Sequence, residues 1–499
     1  MADVVRETER KYRAADGAEL PGLKVKGVAS VTDRGRDRLH AVYYDTPGGA
    51  LAADGITLRR RTGGPDAGWH LKLPVAPHVR DEIREPPADE PPRSLTALVR
   101  SRVRSEPLVP VMDLLSERDV RQLCAEDGTV LAEVSLDRVQ AARPDGATAA
   151  WTEAEAELAA GPPALLDRIG KRLRKAGMQP SQAPSKLQRA LDETTPAPGA
   201  PAPGAAAGPP DDTAGAHVLG YVRTQVRALV ALDPAVRRDL PDAVHRMRVA
   251  SRRLRSCFRS YRAVLDPRVT EPIGAELRRL AAELGRDRDR EVLLERLTAR
   301  VAELPRTLRL GPVSRRLHTH DRALRSGTRS RITAVLDGRR HLALLDALDA
   351  LLADPPLLPK AAKPAETVLP SVIRQENRRL EARVTAALAA PAGQQRDDAL
   401  HEARKAAKRA RYATEAAGRA LGARAARHGR PLTAVQTVLG EHQDSVQARR
   451  ALRDIAVQAH AAGEQSFTYG VLHAREEALA DRHERELPGL WSAVSATVP

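Results

Sequence analysis

The sequence predicts a multidomain protein: an N-terminal α+β domain built on a closed antiparallel β-barrel, then an all-α domain made of two copies of one helical bundle. Three observations carry this. Residues 193–217, ETTPAPGAPAPGAAAGPPDDTAGAH, lack apolar periodicity and are dense in Pro, Gly and Ala, as a semi-extended linker is. Before them, short segments alternate in residue type and are broken by turn clusters such as DTPGG, TGGPDAG and AEDG, which reads as antiparallel strands, with helices near 94–104 and 162–176. After them, long Ala/Leu/Arg stretches of helical period with few glycines read as helices throughout. The expected organisation is a barrel domain over 1–195, a linker over 196–214 and a helical domain over 215–490. The Pro-rich stretch LLADPPLLPKAAKPAE (351–366) divides the last into repeats of about 215–350 and 367–490.

Charge separates the two parts as sharply as texture does. Residues 1–200 hold 30 Lys/Arg and 30 Asp/Glu, so the remainder carries the whole formal excess of +16. A neutral front and a strongly basic back suggest two jobs, with the back facing a polyanion. Arginine outnumbers lysine 70 to 11, so the placement of arginine says more than its amount. The two cysteines, Cys124 and Cys257, have no metal-ligand spacing and form no disulfide framework. The charged N-terminus MADVVRETERKYR has no apolar signal region, and no run approaches 18 apolar residues, so a cytoplasmic protein without a membrane partner is expected.

The front strands carry charge on faces that should be apolar. ETERK (7–11), as a strand, sets Glu7, Glu9 and Lys11 on one face and Arg6, Thr8, Arg10 and Tyr12 on the other. A solvated strand is the ordinary reading of such an alternation, but a half-buried strand needs one apolar face. WHLKLP (69–74) alternates Trp69, Leu71 and Leu73 with His70 and Lys72, and ITLRRR (56–61) sets Arg59 and Arg61 opposite Leu58. RDEIR (80–84) aligns Arg80, Glu82 and Arg84; LAEVSLDRV (131–139) sets Glu133 and Asp137 opposite Val134 and Leu136; WTEAEAEL (151–158) sets Glu153, Glu155 and Glu157 opposite Ala154, Ala156 and Leu158. Strand after strand with an ionic face of both signs suggests a barrel with a charged lumen. Carboxylates at i, i+2 make an oxygen-only site for a hard cation such as Mg2+ or Mn2+. Clustered Arg and Lys hold a chain of phosphates and neutralise charge that develops in phosphoryl transfer. No Cys/His or Ser/His pairing suggests a covalent nucleophile, so water is the expected one.

In the back half a basic pattern recurs in register. HRMRVASRRLR (245–255) places His245, Arg248, Arg252, Arg255 and Arg259 on one helix face, beside an apolar seam of Val244, Met247, Leu254, Phe258 and Tyr261. HEARKAAKRAR (401–411) keeps the register with His401, Arg404, Lys408 and Arg411, with Lys405 and Tyr412 alongside. LGRDRD (284–289) and LGEHQD (439–444) follow the two copies at similar distance, an internal repeat. Solvated helix faces normally mix signs, whereas these stripes contain no acid and repel themselves unless an anion occupies them. With aromatics at 2%, little is available to stack a base, which disfavours nucleic acid; a ligand of phosphate without bases fits arginine forks better.

These residues resemble two known families. VHRMRVASRRLRS, LHEARKAAKRARYATE and the two LG segments make residues from about 212 to 490 similar to a CHAD domain, the conserved histidine α-helical domain. That resemblance implies paired four-helix bundles that bind inorganic polyphosphate through His245, Arg248, Arg252, Arg255, Arg259, His401, Arg404, Lys405, Lys408 and Arg411, and association with polyphosphate granules. ETERK, YYDTPGGALAADGITLRRR, WHLKLP, RDEIR, LDRV, TEAEAEL and SKLQRA (185–190), in that order, make residues 1 to about 195 similar to a CYTH domain of the triphosphate tunnel metalloenzymes. This implies catalysis by Glu7, Glu9 and Lys11. It also implies Mg2+ or Mn2+ on Glu7, Glu9, Glu153, Glu155 and Asp137, with Glu133 or Glu157 as further ligands. Phosphate would be bound by Lys11, Arg59, Arg61, Lys72, Arg80, Arg118 and Lys186, with Arg84 as a substitute for Arg80. The expected activity is metal-dependent hydrolysis of inorganic triphosphate or short polyphosphate. The alternatives are an organic triphosphate (thiamine triphosphate, or ATP as in adenylate cyclases) and a non-catalytic polyphosphate scaffold.

Overall fold

A computed structural model describes residues 3–195, 210–324 and 328–499; residues 196–209 of the expected linker lie outside it. The chain divides into two compact units, Met1–Ala205 and Ala206–Pro499.

The first unit contains strands β1 (Asp3–Ala14), β2 (Ser30–Asp45), β3 (Thr57–Thr62), β4 (Gly68–Ala76) and β5 (Val79–Glu85), then helix α1 (Arg93–Val103). Strands β6 (Val109–Cys124), β7 (Val130–Ala142) and β8 (Thr148–Leu158) follow, then α2 (Ala164–Lys175), a two-residue β9 (Gln179–Pro180) and α3 (Lys186–Thr194). The strand order β5-β4-β3-β2-β6-β7-β8-β1 returns to β5 through a β5–β1 pairing, so eight antiparallel strands close into the barrel that the alternation predicts. β1 makes the closure by changing partner: Asp3–Thr8 pair with β5, and Glu9–Ala14 pair with β8.

A polar lumen forces the apolar faces outward, where helices cover them. Leu58, Trp69, Leu71, Leu73 and Ile83 pack with Leu95, Leu98, Val99 and Val103 of α1. On another side Ala132, Val134, Leu136, Ala154 and Ala156 pack under Leu165, Leu166, Ile169 and Leu173 of α2. α2 comes so close there that a Cβ on Gly170 would lie 2.3 Å from the Tyr12 hydroxyl, so a larger residue would have to displace the buried Tyr12 ring. The third helix acts differently. Leu187 and Ala190 of α3 pack on Tyr43, Val139, Ala141 and Trp151, and Val139, Ala141 and Trp151 continue the inward-facing rows of β7 and β8. α3 therefore plugs one end of the barrel. The turn after β2 is fixed by buried Asp45, whose carboxylate accepts from the backbone N–H groups of Thr46, Leu51 and Ala52.

The second unit is all helix: α4 (Ala214–Arg237), α5 (Ala243–Ser260), α6 (Pro267–Glu283), α7 (Gly285–Ala302), α8 (Val313–Leu324), α9 (Thr328–Asp337) and α10 (Arg339–Ala353) come first. Then come α11 (Ala365–Ala389), α12 (Gln394–Ala416), α13 (Gly418–Leu421), α14 (Ala423–Ala461) and α15 (Phe467–Ser495). Its cores do not follow the two sequence repeats. One core joins α4, α5, α6 and α10 to the start of α11 and the end of α12; another packs α7 and α8 on α14 and α15; a third joins α11, α12, α14 and α15. Buried Tyr261, at the end of α5, donates to the Ala413 carbonyl of α12 and ties the two basic helices together at that end. Cys124 and Cys257 are both buried and free. No helix among the described residues is long and apolar enough to cross a membrane.

Leu71 is fully buried between the barrel wall and α1. Leu71→Ala is expected to destabilise the first unit by about 2–5 kcal/mol, as buried leucine truncations do, read from urea unfolding followed by the fluorescence of neighbouring Trp69.

Candidate functional site

The barrel encloses a cavity of about 780 Å3 whose lining includes Glu7, Glu9, Lys11, Arg59, Arg61, Lys72, Arg80, Arg118, Glu155 and Lys186. Most residues picked from strand alternation are thus brought to one space. Glu133, Glu157 and Arg84 line it as well, so Arg80 and Arg84 are both present rather than alternatives.

Strand register sorts the acids. On β1 and β8, Glu9 lies opposite Glu157, and on β8 and β7, Glu157 lies opposite Glu133. Three carboxylates therefore stand in a row across three neighbouring strands, an arrangement that costs stability unless a cation joins them. No lysine or arginine among the described residues forms an ion pair with Glu157, and burial together with Glu7, Glu9 and Glu155 pushes its carboxyl up to about 7. Glu7 is also raised, by burial first, although Lys72 donates to it at 2.6 Å. For Glu9 burial works in the same upward direction, but Lys11, at 2.9 Å, outweighs it and holds the group below its ordinary range.

Two of the expected metal ligands, Asp137 and Glu153, are engaged by cations and lie outside the cavity lining. Asp137 takes a bidentate fork from Arg118 at 2.7 and 2.9 Å and pairs with Lys186 at 3.0 Å. Glu153 pairs with Lys186 at 2.9 Å, accepts from the Trp151 indole at 2.8 Å and faces Arg189. Both are fully neutralised, sit beside the α3 plug and are absent from the cavity lining. The residue with the ligand-like surroundings is Glu157, one strand repeat further on. Glu155 lies between the two groups and is held well below the carboxylate range because Lys11, Lys186 and Arg118 outweigh its burial.

The cations form the facing wall. Arg59 accompanies Tyr43, whose phenol oxygen accepts from its guanidinium at 3.3 Å, and Arg59 lowers the phenol against the effect of burial. Arg61 pairs with Asp66, yet burial and the neighbouring Arg59 and Arg118 bring its guanidinium down to about 9. Burial is the larger cause and the crowding of positive charge the second, and a bound polyanion would relieve the second. Glu82, which the sequence aligns with Arg80 and Arg84 but gives no role, is buried and holds His70 at 2.9 Å, Lys72 at 3.5 Å and Arg59 at 3.6 Å. Its signal lay in RDEIR, where the two flanking arginines drew attention to themselves.

In the second unit, α5 and α12 pack together, and a trough of about 980 Å3 opens along them. Arg252, Arg255 and Arg259 line it from α5, and His401, Arg404, Lys405 and Lys408 from α12. Among the described residues Arg252, Arg255, Arg259 and Lys408 carry no ion pair, and Glu402, which pairs with Lys405 at 2.6 Å, is the one acid in the lining. Burial and then Arg404 and Arg252 bring the Lys408 ammonium down to about 7. His245, Arg248 and Arg411 lie outside the lining. His245 is exposed; Arg411 stacks on Tyr412 with its guanidinium carbon 4.4 Å from the ring centre and is engaged by Glu415 at 3.4 Å. Arg248 lies flat on the start of α7, where a Cβ on Gly285 would meet its guanidinium at 2.7 Å. In the other repeat Arg404 lies near Gly440 in the same way, at 3.8 Å, so the glycines of the two LG segments seat equivalent arginines. The side chains of 286–289 lie outside the described residues. Sequence reading missed Arg278 of α6, Arg379 and Arg383 of α11 and Arg409, all of which line the trough. Arg379 and Arg409 share buried Glu376 at 2.8 and 2.5 Å.

The raised Glu157 carboxyl has a thermodynamic sign. An acid whose folded value lies above its unfolded one stabilises the fold at low pH and loses that contribution as pH rises from about 4.5 to 7. Glu157→Gln is therefore expected to raise the urea midpoint at pH 8 in the presence of a chelator and to raise it much less at pH 5.

The CYTH domain profile matches residues 5–191, and the CHAD domain profile matches residues 220–453. The uncharacterized proteins MT2285 and Rv2226 of Mycobacterium tuberculosis are each 37% identical over 503 residues, covering 96% of this chain and 94% of theirs. Among solved structures, PptA from Streptomyces chartreusis is 23% identical, with a TM-score of 0.45 over 56% of this chain and 99% of its own. The CHAD domain from the plant Ricinus communis is 22% identical, with a TM-score of 0.44 over 59% and 95%. With both profiles matched in order and relatives aligned over nearly its whole length, the chain belongs to the CYTH–CHAD proteins, a CYTH domain of the triphosphate tunnel type followed by a CHAD domain.

Proposed function

We propose that the barrel hydrolyses inorganic triphosphate or a short inorganic polyphosphate with Mg2+ or Mn2+, and that the helical unit binds inorganic polyphosphate in its trough. The CYTH family binds triphosphate substrates and uses divalent metal ions. The observation that carries the reading for this chain is the division of the lumen: Glu9, Glu157 and Glu133 stand in a row, Glu157 has no Lys or Arg ion pair among the described residues, and the row shares one cavity with Arg59, Arg61, Arg118 and Lys186. The donor set of carboxylates fits a hard divalent ion. Glu7, Glu9 and Glu157 would hold it, with Glu133 and Glu155 within the same cluster. When bound, it would lower the pKa of a water and neutralise phosphate oxygens.

The chain's own residues would do the rest. Arg59, Arg61, Lys72 and Arg80 grip the phosphate chain. Arg118 and Lys186 are held in place by Asp137, so they meet the charge that grows on the leaving phosphate without reorganising. Tyr43 is the one Phe, Tyr or Trp in the lumen lining and Tyr412 the one in the trough, where Arg411 already stacks on it, so neither site offers a row of rings for successive bases. This favours inorganic phosphate over nucleotides and nucleic acid at both sites. Tethering a polyphosphate-binding unit to the barrel raises the local substrate concentration.

Phosphate release by the full chain from triphosphate, ATP and thiamine triphosphate, with Mg2+ and then Mn2+, tests the reading. Selective turnover of triphosphate is expected. Arg59→Met should lower kcat by about 100- to 1,000-fold, the usual effect of removing a preorganised group that stabilises developing charge, while polyphosphate binding persists. Absence of turnover on every substrate would move the weight to a scaffold that holds phosphate without cleaving it.

The trough gives a pH test. Lys408 is surrounded by Arg404 on its own helix, Arg252 and Arg248 of α5, and Asp444 of α14. With its ammonium at about 7 it is charged at pH 6 and largely neutral at pH 8. Polyphosphate should therefore bind more tightly at pH 6 and take up a proton on binding near pH 7.5, measured by calorimetry in buffers of different ionisation enthalpy. Lys408→Arg should remove that uptake.

A further inference from the structure

We propose that Asp397, His442 and Glu484 form a binding site for a divalent transition metal ion of the Zn2+ class, separate from the barrel and from the basic trough. The three residues come from three helices: Asp397 from the first turn of α12, His442 from the middle of α14 and Glu484 from α15. One ligand atom from each lies within 4.8 Å of the other two. His442 belongs to the LGEHQD segment, one of the paired motifs of the sequence, and neither the barrel nor the trough makes use of it.

The geometry is that of ligands and not only of an ion pair. The His442 Nε2 lies 3.2 Å from Glu484 Oε1 and 3.4 Å from Asp397 Oδ1. Two ligands of one tetrahedral ion, each about 2.1 Å from it, stand about 3.4 Å apart. A single N–H can satisfy only one of those two oxygens well. The ring is 2% exposed, so solvent competes little for its Nε2.

The surroundings complete the arrangement. Arg396 holds the far oxygen of Glu484 at 3.2 Å and is itself anchored on the Ala390 carbonyl at 2.9 and 2.6 Å. Arg449 holds the far oxygen of Asp397 at 3.0 Å and also reaches Oδ1 at 3.2 Å. These contacts aim the near oxygens at the ring, the task that outer hydrogen bonds perform around ligating carboxylates. One imidazole and two carboxylates suit Zn2+, Co2+ or Mn2+ better than Mg2+, with a fourth position left for water. The site would pin three helices beside the trough: Asp397 lies one turn before His401, and Gln443, next to His442, bonds the His401 ring at 2.6 Å.

Co2+ is the probe, titrated into the full chain carrying Glu9→Gln and Glu157→Gln so that the lumen acids do not compete. Visible absorption of a nitrogen-ligated ion is expected to saturate at one equivalent and to be displaced by Zn2+. His442→Asn and Asp397→Asn should each abolish it, Arg449→Met should weaken binding roughly 10- to 100-fold, and His460→Asn should change nothing. Circular dichroism establishes that each variant is folded. Co2+ absorption indifferent to His442 and Asp397, or no saturable binding to the folded protein, would overturn the proposal and leave the trio as an ion-pair network. Hydrolysis by the barrel plays no part in the readout, so the two readings fail independently.

Discussion

Charge placed inside a barrel is the constraint on which the first unit depends. Isolated ions in a protein interior are expensive, and they persist only when paired, hydrogen-bonded or waiting for a ligand. Here the lumen holds carboxylates and cations in a graded order. Near α3 they neutralise each other through Asp137, Glu153, Arg118 and Lys186. At Glu157 the balance fails in one direction, and at Arg61, buried beside Arg59 and Arg118, it fails in the other. The same inversion places leucines and Trp69 on the outside, and that is why helices α1 and α2 must cover the barrel wall.

The helical unit solves a related problem with convex elements. Two helices that each repel themselves along one face are packed together, which is stable only because their other faces share cores and because Tyr261 joins their ends. Acids such as Glu376 and Glu415 are kept at the margins, where they steer Arg379, Arg409 and Arg411 without entering the strip that carries Arg252, Arg255, Arg259 and Lys408. The surface is thus electrostatically frustrated by construction, and an anionic chain is the natural way to relieve it.

Much of this was legible in the sequence, for identifiable reasons. One strand of period two with charge on its second face is ordinarily a solvated edge, but ETERK carries charge on both faces and WHLKLP and EAEAEL repeat ionic faces of both signs, and that succession pointed to a closed, polar-lined sheet and most of its lining. What period two cannot say is which of Glu153, Glu155 and Glu157 stands beside Glu9, since all three share a face. That depends on where β1 leaves β5 for β8, a tertiary fact. The stripes of α5 and α12 were visible because they contain no acid. Arg278, Arg379 and Arg383 were not, because their helices mix both signs and only packing turns those arginines toward the trough. The convergence of Asp397, His442 and Glu484 was hidden for the same reason, since the three lie far apart along the chain.

The closure of the barrel by β1 has a consequence for how the protein is made. Its first strand cannot find its second partner until residues 152–157 have been synthesised, and the lumen lacks Lys186 until α3 follows. At bacterial or eukaryotic speeds of about 5–20 residues per second, that is a wait of roughly ten to thirty seconds on the ribosome. During it the Glu9–Ala14 half of β1 is an unpaired edge, the kind of segment that recruits other chains. Glu9 and Lys11 make it a poor template for such pairing, so charges that later face the lumen also keep the nascent strand soluble while it waits.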